Sequence, residues 1–185
     1  MSRAEPKRIL SPQELNQAAC DVYFLANEAG VRVALIGGFA LQRYKSPRLT
    51  GDVDVAASGS IPGLKREGKL SFGGDKARTS LGVPVDVVVR ADMYAPLYQE
   101  ALDDAVGRAP AGILPVVRPE YLAAMKLAAP RLRDRDDLEF LIGARIINKR
   151  ETRQIIGRHL GVYAVQMFDE AVRETKWRWA REHRD

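Results

Sequence analysis

The chain has 185 residues, of which 46% are hydrophobic and 29% charged, a balance typical of one globular domain with at most a small addition. Its single cysteine excludes an intrachain disulfide, and the sequence shows neither a secretory signal nor an apolar run long enough to cross a membrane. We therefore expect a cytoplasmic protein without a membrane partner. The net charge of +5 favours a polyanionic partner, although a solvated basic surface is equally compatible with it.

The first half of the chain is predicted to be rich in strands. Residues 11–29 space their apolar side chains as a helix does, with Ser11 and Glu14 as a capping box and Gly30 as the stop. Strands are predicted at residues 31–36 and 52–57, with a short helix at 39–44 between them. Glycines separate three further predicted strands, at residues 69–74, 77–81 and 83–90.

The second half is predicted to be mainly helical. A short strand is expected at 113–117, and helices at residues 92–107, 119–129, 134–147, 151–160 and 162–183. Asp134 is placed as the N-cap of its helix, and Asp137 falls in the first turn, where acidic residues are favoured. The fold class is therefore predicted as α+β, a small mixed sheet flanked by helices and followed by a helical part. We expect residues 1–110 to form the core and 111–185 the helical part packed on it.

Three aspartates stand in predicted strands among valines. Asp52 and Asp54 lie one residue apart and therefore point to the same face of their strand, and Asp86 interrupts the apolar strand at 83–90. A divalent cation would remove the repulsion between such carboxylates, and Mg²⁺ prefers oxygen ligands of this kind. Because two such ions stabilise both the attacking and the leaving oxygen, the pattern suits phosphoryl or nucleotidyl transfer. Gly37 and Gly38 precede a helix, where backbone N–H groups can approach a triphosphate.

These residues resemble the signature of the polymerase-β-type nucleotidyltransferase superfamily. That signature is an apolar residue followed by a glycine pair, a spacer, and Asp-x-Asp in a strand, and here it reads "LIGG" and then "DVDV". The segment "RPEYLAAMKLAAPRLRDRDDLEFLI" is similar to a block in the bacterial abortive-infection (AbiEii-like) and toxin–antitoxin branch. The resemblance covers roughly residues 31–142 and implies the nucleotidyltransferase fold.

The resemblance also implies roles for particular residues. Asp52, Asp54 and Asp86 would hold Mg²⁺ or Mn²⁺, and Asp86 would also help to deprotonate the acceptor hydroxyl. The nucleotide would be bound by Gly37, Gly38, Arg48, Thr50 and Lys126. Gly38 departs from the serine found in many members, so it offers a phosphate only its backbone.

The implied activity is transfer of a nucleoside monophosphate from a nucleoside triphosphate to a hydroxyl. In the toxin members the acceptor is the 3′ end of a transfer RNA, so RNA and a cognate antitoxin protein are the expected partners. Two alternatives remain open at this point. One is a non-catalytic nucleotide-binding or partner-binding module with the same fold, and the other is an AMPylating, antitoxin-like enzyme that modifies a protein.

Overall fold

The computed structural model describes residues 8–129 and 131–182. The elements follow the order α1 (Pro12–Glu28), β1 (Val33–Ile36), α2 (Gly37–Arg43), β2 (Val53–Ala57), β3 (Lys65–Lys69), β4 (Gly74–Arg78), β5 (Pro84–Val88), α3 (Ala95–Arg108), α4 (Pro119–Ala128), α5 (Leu132–Gly143) and α6 (Lys149–Glu182). The predicted α+β class is confirmed. None of the helices in the described residues combines the length and apolarity that a membrane span requires.

The described residues fall into two compact units. The first comprises the chain up to Asp92 together with Leu102–Val116, and the second comprises Met93–Ala101 together with the chain from Val117 onward. The first unit contains the whole sheet. The second contains α4, α5 and α6, and helix α3 is divided between the two.

The sheet of the first unit is mixed, with the strand order β1-β2-β5-β4-β3. Only the β2–β5 pair is parallel, and the other three pairs are antiparallel. Valines at 53, 55, 85 and 87 form the buried centre, each at most 1% exposed. Because side chains alternate along a strand, Asp54 and Asp86 lie on the opposite face from these valines. Helices α1 and α2 both contact β2.

Helix α1 forms where the sequence predicts a helix. Ser11 caps α1 as predicted: its hydroxyl accepts the Glu14 N–H, and the Glu14 carboxylate accepts the Ser11 N–H at 2.8 Å. The apolar stripe of α1 is buried at Leu15, Ala18 and Val22. Capping and burial therefore agree, which explains why this helix was predictable.

Three predicted strands are wrong in their limits. The strand expected at 77–81 is β4, at Gly74–Arg78, and a turn follows it at 79–82. Residues 70–73 form the turn between β3 and β4 instead of a strand, with Gly73 N–H donating to the Leu70 carbonyl. Gly73 and Gly74 have φ near +106° and +105°, values that favour glycine, and a Cβ at Gly74 would lie 2.0 Å from the Val87 carbonyl oxygen. The expected strand at 113–117 is also wrong, since only Val116 forms a single bridge, to Leu35.

In the second unit, α4, α5 and α6 pack on one another around Leu122, Leu141 and Ile155. Helix α5 begins at Leu132, so the prediction that Asp134 is its N-cap is wrong. Asp134 instead lies in the first turn and accepts the Arg131 N–H at 3.3 Å. Gly161 breaks α6 with φ 84° and ψ 179°, in agreement with the two helices predicted on either side of it.

Candidate active site

Asp54 and Asp86 are direct register partners on the parallel strands β2 and β5. The same row continues to Ile36 on β1 and to Lys76 on β4. Neighbouring strands lie about 4.8 Å apart, so the two carboxylates are close neighbours on one face of the sheet. Both side chains are half-buried. Strand pairing, which the sequence does not specify, thus joins the two carboxylates.

Gly37 lies directly against Asp54. A Cβ added at Gly37 would be 2.0 Å from the Asp54 Oδ2 atom, which is closer than any real contact, and its φ of +68° favours glycine. Gly37 is the first residue of α2, whose N-terminus has no side-chain cap. The glycine therefore allows the carboxylate of β2 to rest against the strand-to-helix turn that follows β1.

Thr50 connects Gly38 to Asp52. The Thr50 hydroxyl donates to Asp52 Oδ1 at 2.8 Å, and a Cβ on Gly38 would lie 2.9 Å from the same hydroxyl oxygen. Arg48 is also close, with its Cζ 3.3 Å from that Cβ position. The buried Thr50 thus fills the space that a side chain at position 38 would need, which gives a local reason for the second glycine.

Hydrogen bonds fix the loop that carries Arg48 and Thr50. Gln42 Nε2, on α2, donates to the Arg48 carbonyl at 2.7 Å. The Leu10 N–H donates to the Thr50 carbonyl at 3.1 Å. The loop is consequently tied to α2 and to the segment before α1, and it delivers Asp52 to the start of β2 in a defined position.

The carboxylate oxygens on this face of the sheet suit a hard divalent cation. Within residues 8–129 and 131–182, no three histidine, cysteine or acidic side chains are already gathered as a metal site. The carboxylate oxygens of Asp52, Asp54 and Asp86 are nevertheless the ligand type that Mg²⁺ prefers, and two of them share one register row. Mg²⁺ keeps several waters, so it does not need a complete cage of protein ligands.

Lys126 lies in the second unit, on α4. Its ammonium forms ion pairs with Asp134 at 2.9 Å and Asp137 at 2.7 Å, and its side chain is only 11% exposed. An ammonium group has three N–H donors, so these two pairs leave one donor for another acceptor. The predicted contact of Lys126 with a nucleotide stays a prediction.

In the first unit the predicted site residues form two groups that meet at the glycine pair. One contains Gly37, Asp54 and Asp86, and the other contains Gly38, Arg48, Thr50 and Asp52. The sequence did not indicate Lys76, the register partner of Asp86 on β4. The predicted strands ended at Gly74 and resumed at Ala77, so Lys76 was not assigned to any strand. In the structure Lys76 is exposed between the buried residues Asp75 and Ala77, which is the alternation expected of a strand. Because one of the two buried residues is an aspartate, the sequence does not show this alternation as a change between apolar and polar residues.

Comparison with known proteins identifies only remote likenesses. No protein-family model matches the chain. No curated protein matches it either. An antigenic nucleotidyltransferase-like protein from Paracoccidioides brasiliensis has a similar structure, with 15% identity and a TM-score of 0.49 over 90% of this chain and 95% of that one.

Two further solved structures are similar. A candidate nucleotidyltransferase from H. pylori is 17% identical, with a TM-score of 0.47 over 91% of this chain and 95% of that one. The antibiotic-resistance factor ANT(2'')-Ia is 14% identical, with a TM-score of 0.44 over 91% of this chain and 97% of that one. At these scores the likenesses carry no functional argument.

Proposed function

We propose that this protein is a metal-dependent nucleotidyltransferase that moves a nucleoside monophosphate from a nucleoside triphosphate to an acceptor hydroxyl. The observation that supports this most directly is the register pair of Asp54 and Asp86, with Gly37 packed against Asp54. Carboxylates that are neighbours in one row of a sheet offer the oxygen ligands that a divalent cation takes. The glycine turn beside them opens α2, and backbone N–H groups at the start of a helix can bind phosphate oxygens.

Asp52, Asp54 and Asp86 are the residues that would hold Mg²⁺ or Mn²⁺. When bound, such ions stabilise negative charge on the attacking and leaving oxygens of the displacement. Thr50 is a positioning residue in this scheme, because its hydroxyl orients Asp52. No side-chain cap occupies the start of α2, where the triphosphate would bind, and Arg48 stands beside the same turn.

The reaction would proceed as an in-line displacement. The acceptor hydroxyl oxygen forms a bond to the α-phosphorus, the bond from that phosphorus to the bridging oxygen breaks, and pyrophosphate leaves with the electron pair. The hydroxyl proton passes to a carboxylate oxygen of Asp86. Arg48, beside the glycine turn, would neutralise the departing pyrophosphate.

For the acceptor we propose the 3′ end of an RNA, in the first instance a transfer RNA. The support is the similarity of residues 118–142 to the toxin–antitoxin branch together with the net charge of +5, which attracts polyanions. In this role the protein would be the toxin of a two-component system or a phage-defence factor, with a cognate antitoxin protein as its partner.

Transfer of label tests the activity. Purified protein is incubated with Mg²⁺, each α-³²P-labelled nucleoside triphosphate, and total RNA or total protein in parallel. We expect label in the RNA fraction, lost in Asp54→Asn and Asp86→Asn and retained in Glu28→Gln, a change at an exposed acid of α1. Transfer retained by both aspartate variants would refute the proposal.

The same assay separates the alternatives. Label in the protein fraction would indicate a protein-modifying enzyme. Metal-dependent binding of a triphosphate without any product would indicate a non-catalytic module. The toxin role is tested by induced expression: wild-type protein should arrest growth, whereas Asp54→Asn protein at equal abundance should not.

A further inference from the structure

The hairpin formed by β3 and β4 is strongly basic. Residues 65–78 contain five cations and two acids, a net charge of +3 in fourteen positions. The cations are Lys65, Arg66, Lys69, Lys76 and Arg78. Basic side chains on a hairpin often do no more than face solvent. The function of these cations therefore depends on which face of the sheet each of them occupies.

Strand register divides these cations between the two faces of the sheet. Arg66 and Lys69 pair with Ala77 and Asp75, on the face of the buried valines. Both bind the buried Asp75 carboxylate, at 2.7 and 2.8 Å. Their positive charge is therefore already used to neutralise an internal acid.

The other face carries a row of cations that continues from the candidate carboxylates. Lys76 is the register partner of Asp86, which in turn pairs with Asp54. Arg78 lies two residues further along β4 and pairs with Lys65 on β3. Lys65, Lys76 and Arg78 thus lie on the face of the sheet that carries Asp54 and Asp86.

Two of these three cations have no counter-ion in the described part of the chain. Arg78 is held by Glu67 at 2.6 Å and by the Gly82 carbonyl at 2.8 Å. Lys65 and Lys76 are exposed, and neither forms an ion pair with any residue within 8–129 and 131–182. Protection of the sheet edge explains a lysine on β3, because lysines on edge strands discourage pairing with other chains. It does not explain Lys76, since β4 is an interior strand between β5 and β3.

We propose that Lys65 and Lys76 bind the phosphodiester backbone of a single-stranded RNA end and lead it to Asp86. This inference rests on the proposed function. In-line displacement places acceptor and pyrophosphate on opposite sides of the α-phosphorus. The row runs from the Gly37 turn through Asp54 and Asp86 to Lys76, so the cations lie at the acceptor end and the glycine turn at the triphosphate end.

The proposed occupant is a polyanion, because Lys65 and Lys76 are exposed and form no ion pair within the described residues. It is a single strand, because a terminal hydroxyl must reach the sheet face between the carboxylates, which a paired duplex end would obstruct. Cationic tracks of this kind bind nucleic-acid backbones without regard to sequence.

The test is binding of a short fluorescein-labelled single-stranded RNA, followed by anisotropy without triphosphate or metal. We expect Lys65→Gln/Lys76→Gln to bind roughly ten- to thirtyfold more weakly at about 0.1 M salt, and the slope of log K against log salt to fall by about 1.4. The matched control is Arg150→Gln/Arg173→Gln, which removes two charges from exposed, unpaired positions of α6 within the described residues. The control should keep the wild-type slope, and Lys65→Arg/Lys76→Arg should restore affinity.

Several outcomes would overturn the inference. These are wild-type affinity in the lysine variant, an equal loss in the control, or a raised KM for the triphosphate with RNA affinity unchanged. RNA binding is measured without turnover, so failure of the RNA-binding proposal can be distinguished from failure of the proposed nucleotidyltransferase activity. Lysine-dependent RNA binding by a protein that transfers no label supports the docking surface and refutes the enzyme.

Discussion

Asp54 and Asp86 face each other as register partners on the only parallel strand pair of the sheet described. Both side chains are half-buried on one face of the sheet, where a divalent cation would take oxygen ligands from two neighbouring strands. Cation binding, and the stability that it adds, should therefore respond to substitution of either residue.

The first prediction concerns the cation that this pair would hold. Asp86→Asn removes one of the proposed carboxylate ligands, so it should weaken the stabilisation of the fold by Mg²⁺. Added Mg²⁺ should raise the melting temperature of the wild-type protein but not that of the variant. Urea and thermal unfolding with and without Mg²⁺ measure this stabilisation. Equal stabilisation by Mg²⁺ in the two proteins would contradict a cation site at Asp86.

The second prediction concerns the close approach of Gly37 to Asp54. Gly37→Ala should destabilise the protein by about 1–2 kcal/mol for its positive φ and by about 1–3 kcal/mol more for the clash with Asp54. Gly30→Ala is the matched control, since Gly30 has nearly the same φ, +66°, and no atom within 4 Å of its Cβ position.

The difference between these two glycine variants isolates the contact with Asp54. Urea unfolding of both should show Gly37→Ala as the less stable, and transfer activity should be lost in Gly37→Ala and kept in Gly30→Ala. Equal destabilisation and equal activity would show that the turn requires glycine only for its backbone conformation.

Thr50 provides the third prediction. Thr50→Val keeps the shape of the side chain but removes the hydroxyl that donates to Asp52, so it should cost about 1–2 kcal/mol of stability. With Asp52 less well oriented, transfer should fall about tenfold in kcat, with little change in KM. Thr50→Ser keeps the donor and should stay near wild type. A Thr50→Ser variant as impaired as Thr50→Val would point to packing of the methyl group instead.

The fourth prediction is a pH dependence set by Asp75. Burial alone would raise the pKa of Asp75, but hydrogen bonds from Lys69, Ser60 and Arg66 outweigh it and hold the pKa below its ordinary value. The unfolded chain therefore binds this proton more readily than the folded one. Asp75 contributes stability above its unfolded pKa of about 3.9, and that stability is lost as the pH falls below this value through the folded pKa.

Urea unfolding between about pH 5 and about pH 2.5 measures this loss. The wild-type protein should lose stability steeply over that interval, and Asp75→Asn should show a shallower decline from a lower starting value. Asp136→Asn, at an exposed acid of α5 without an ion pair in the described residues, should keep the wild-type slope. A wild-type slope in Asp75→Asn would contradict the prediction.

Local chemistry made part of this structure predictable. The capping box of α1, the break at Gly161 and the alternation around Asp52 and Asp54 are all short-range signals, and each corresponds to the structure. The hairpin of β3 and β4 was misplaced because β3 is almost wholly exposed and charged, so it lacks the apolar alternation that identifies a strand.

Long-range register accounts for the rest of the candidate site. The sequence shows that Asp54 and Asp86 are both in strands, but not that they are partners, nor that Lys76 continues their row. The contact of Gly37 with Asp54 depends equally on how β1 pairs with β2. Such relationships follow from tertiary pairing, which propensity and periodicity along one chain do not encode.

The fifth prediction separates two roles for Lys126. Lys126→Met would leave the buried carboxylates of Asp134 and Asp137 without their cation, which should cost about 3 kcal/mol. Lys126→Met/Asp134→Asn/Asp137→Asn removes the unpaired charges together with the lysine, so most of that stability should return. If Lys126 also contacts the triphosphate, the triple variant should still show a KM for triphosphate raised about tenfold. Urea unfolding and steady-state kinetics on the same preparations measure the free energy of unfolding and the KM. If both return to wild-type values in the triple variant, Lys126 belongs to the ion-pair network alone.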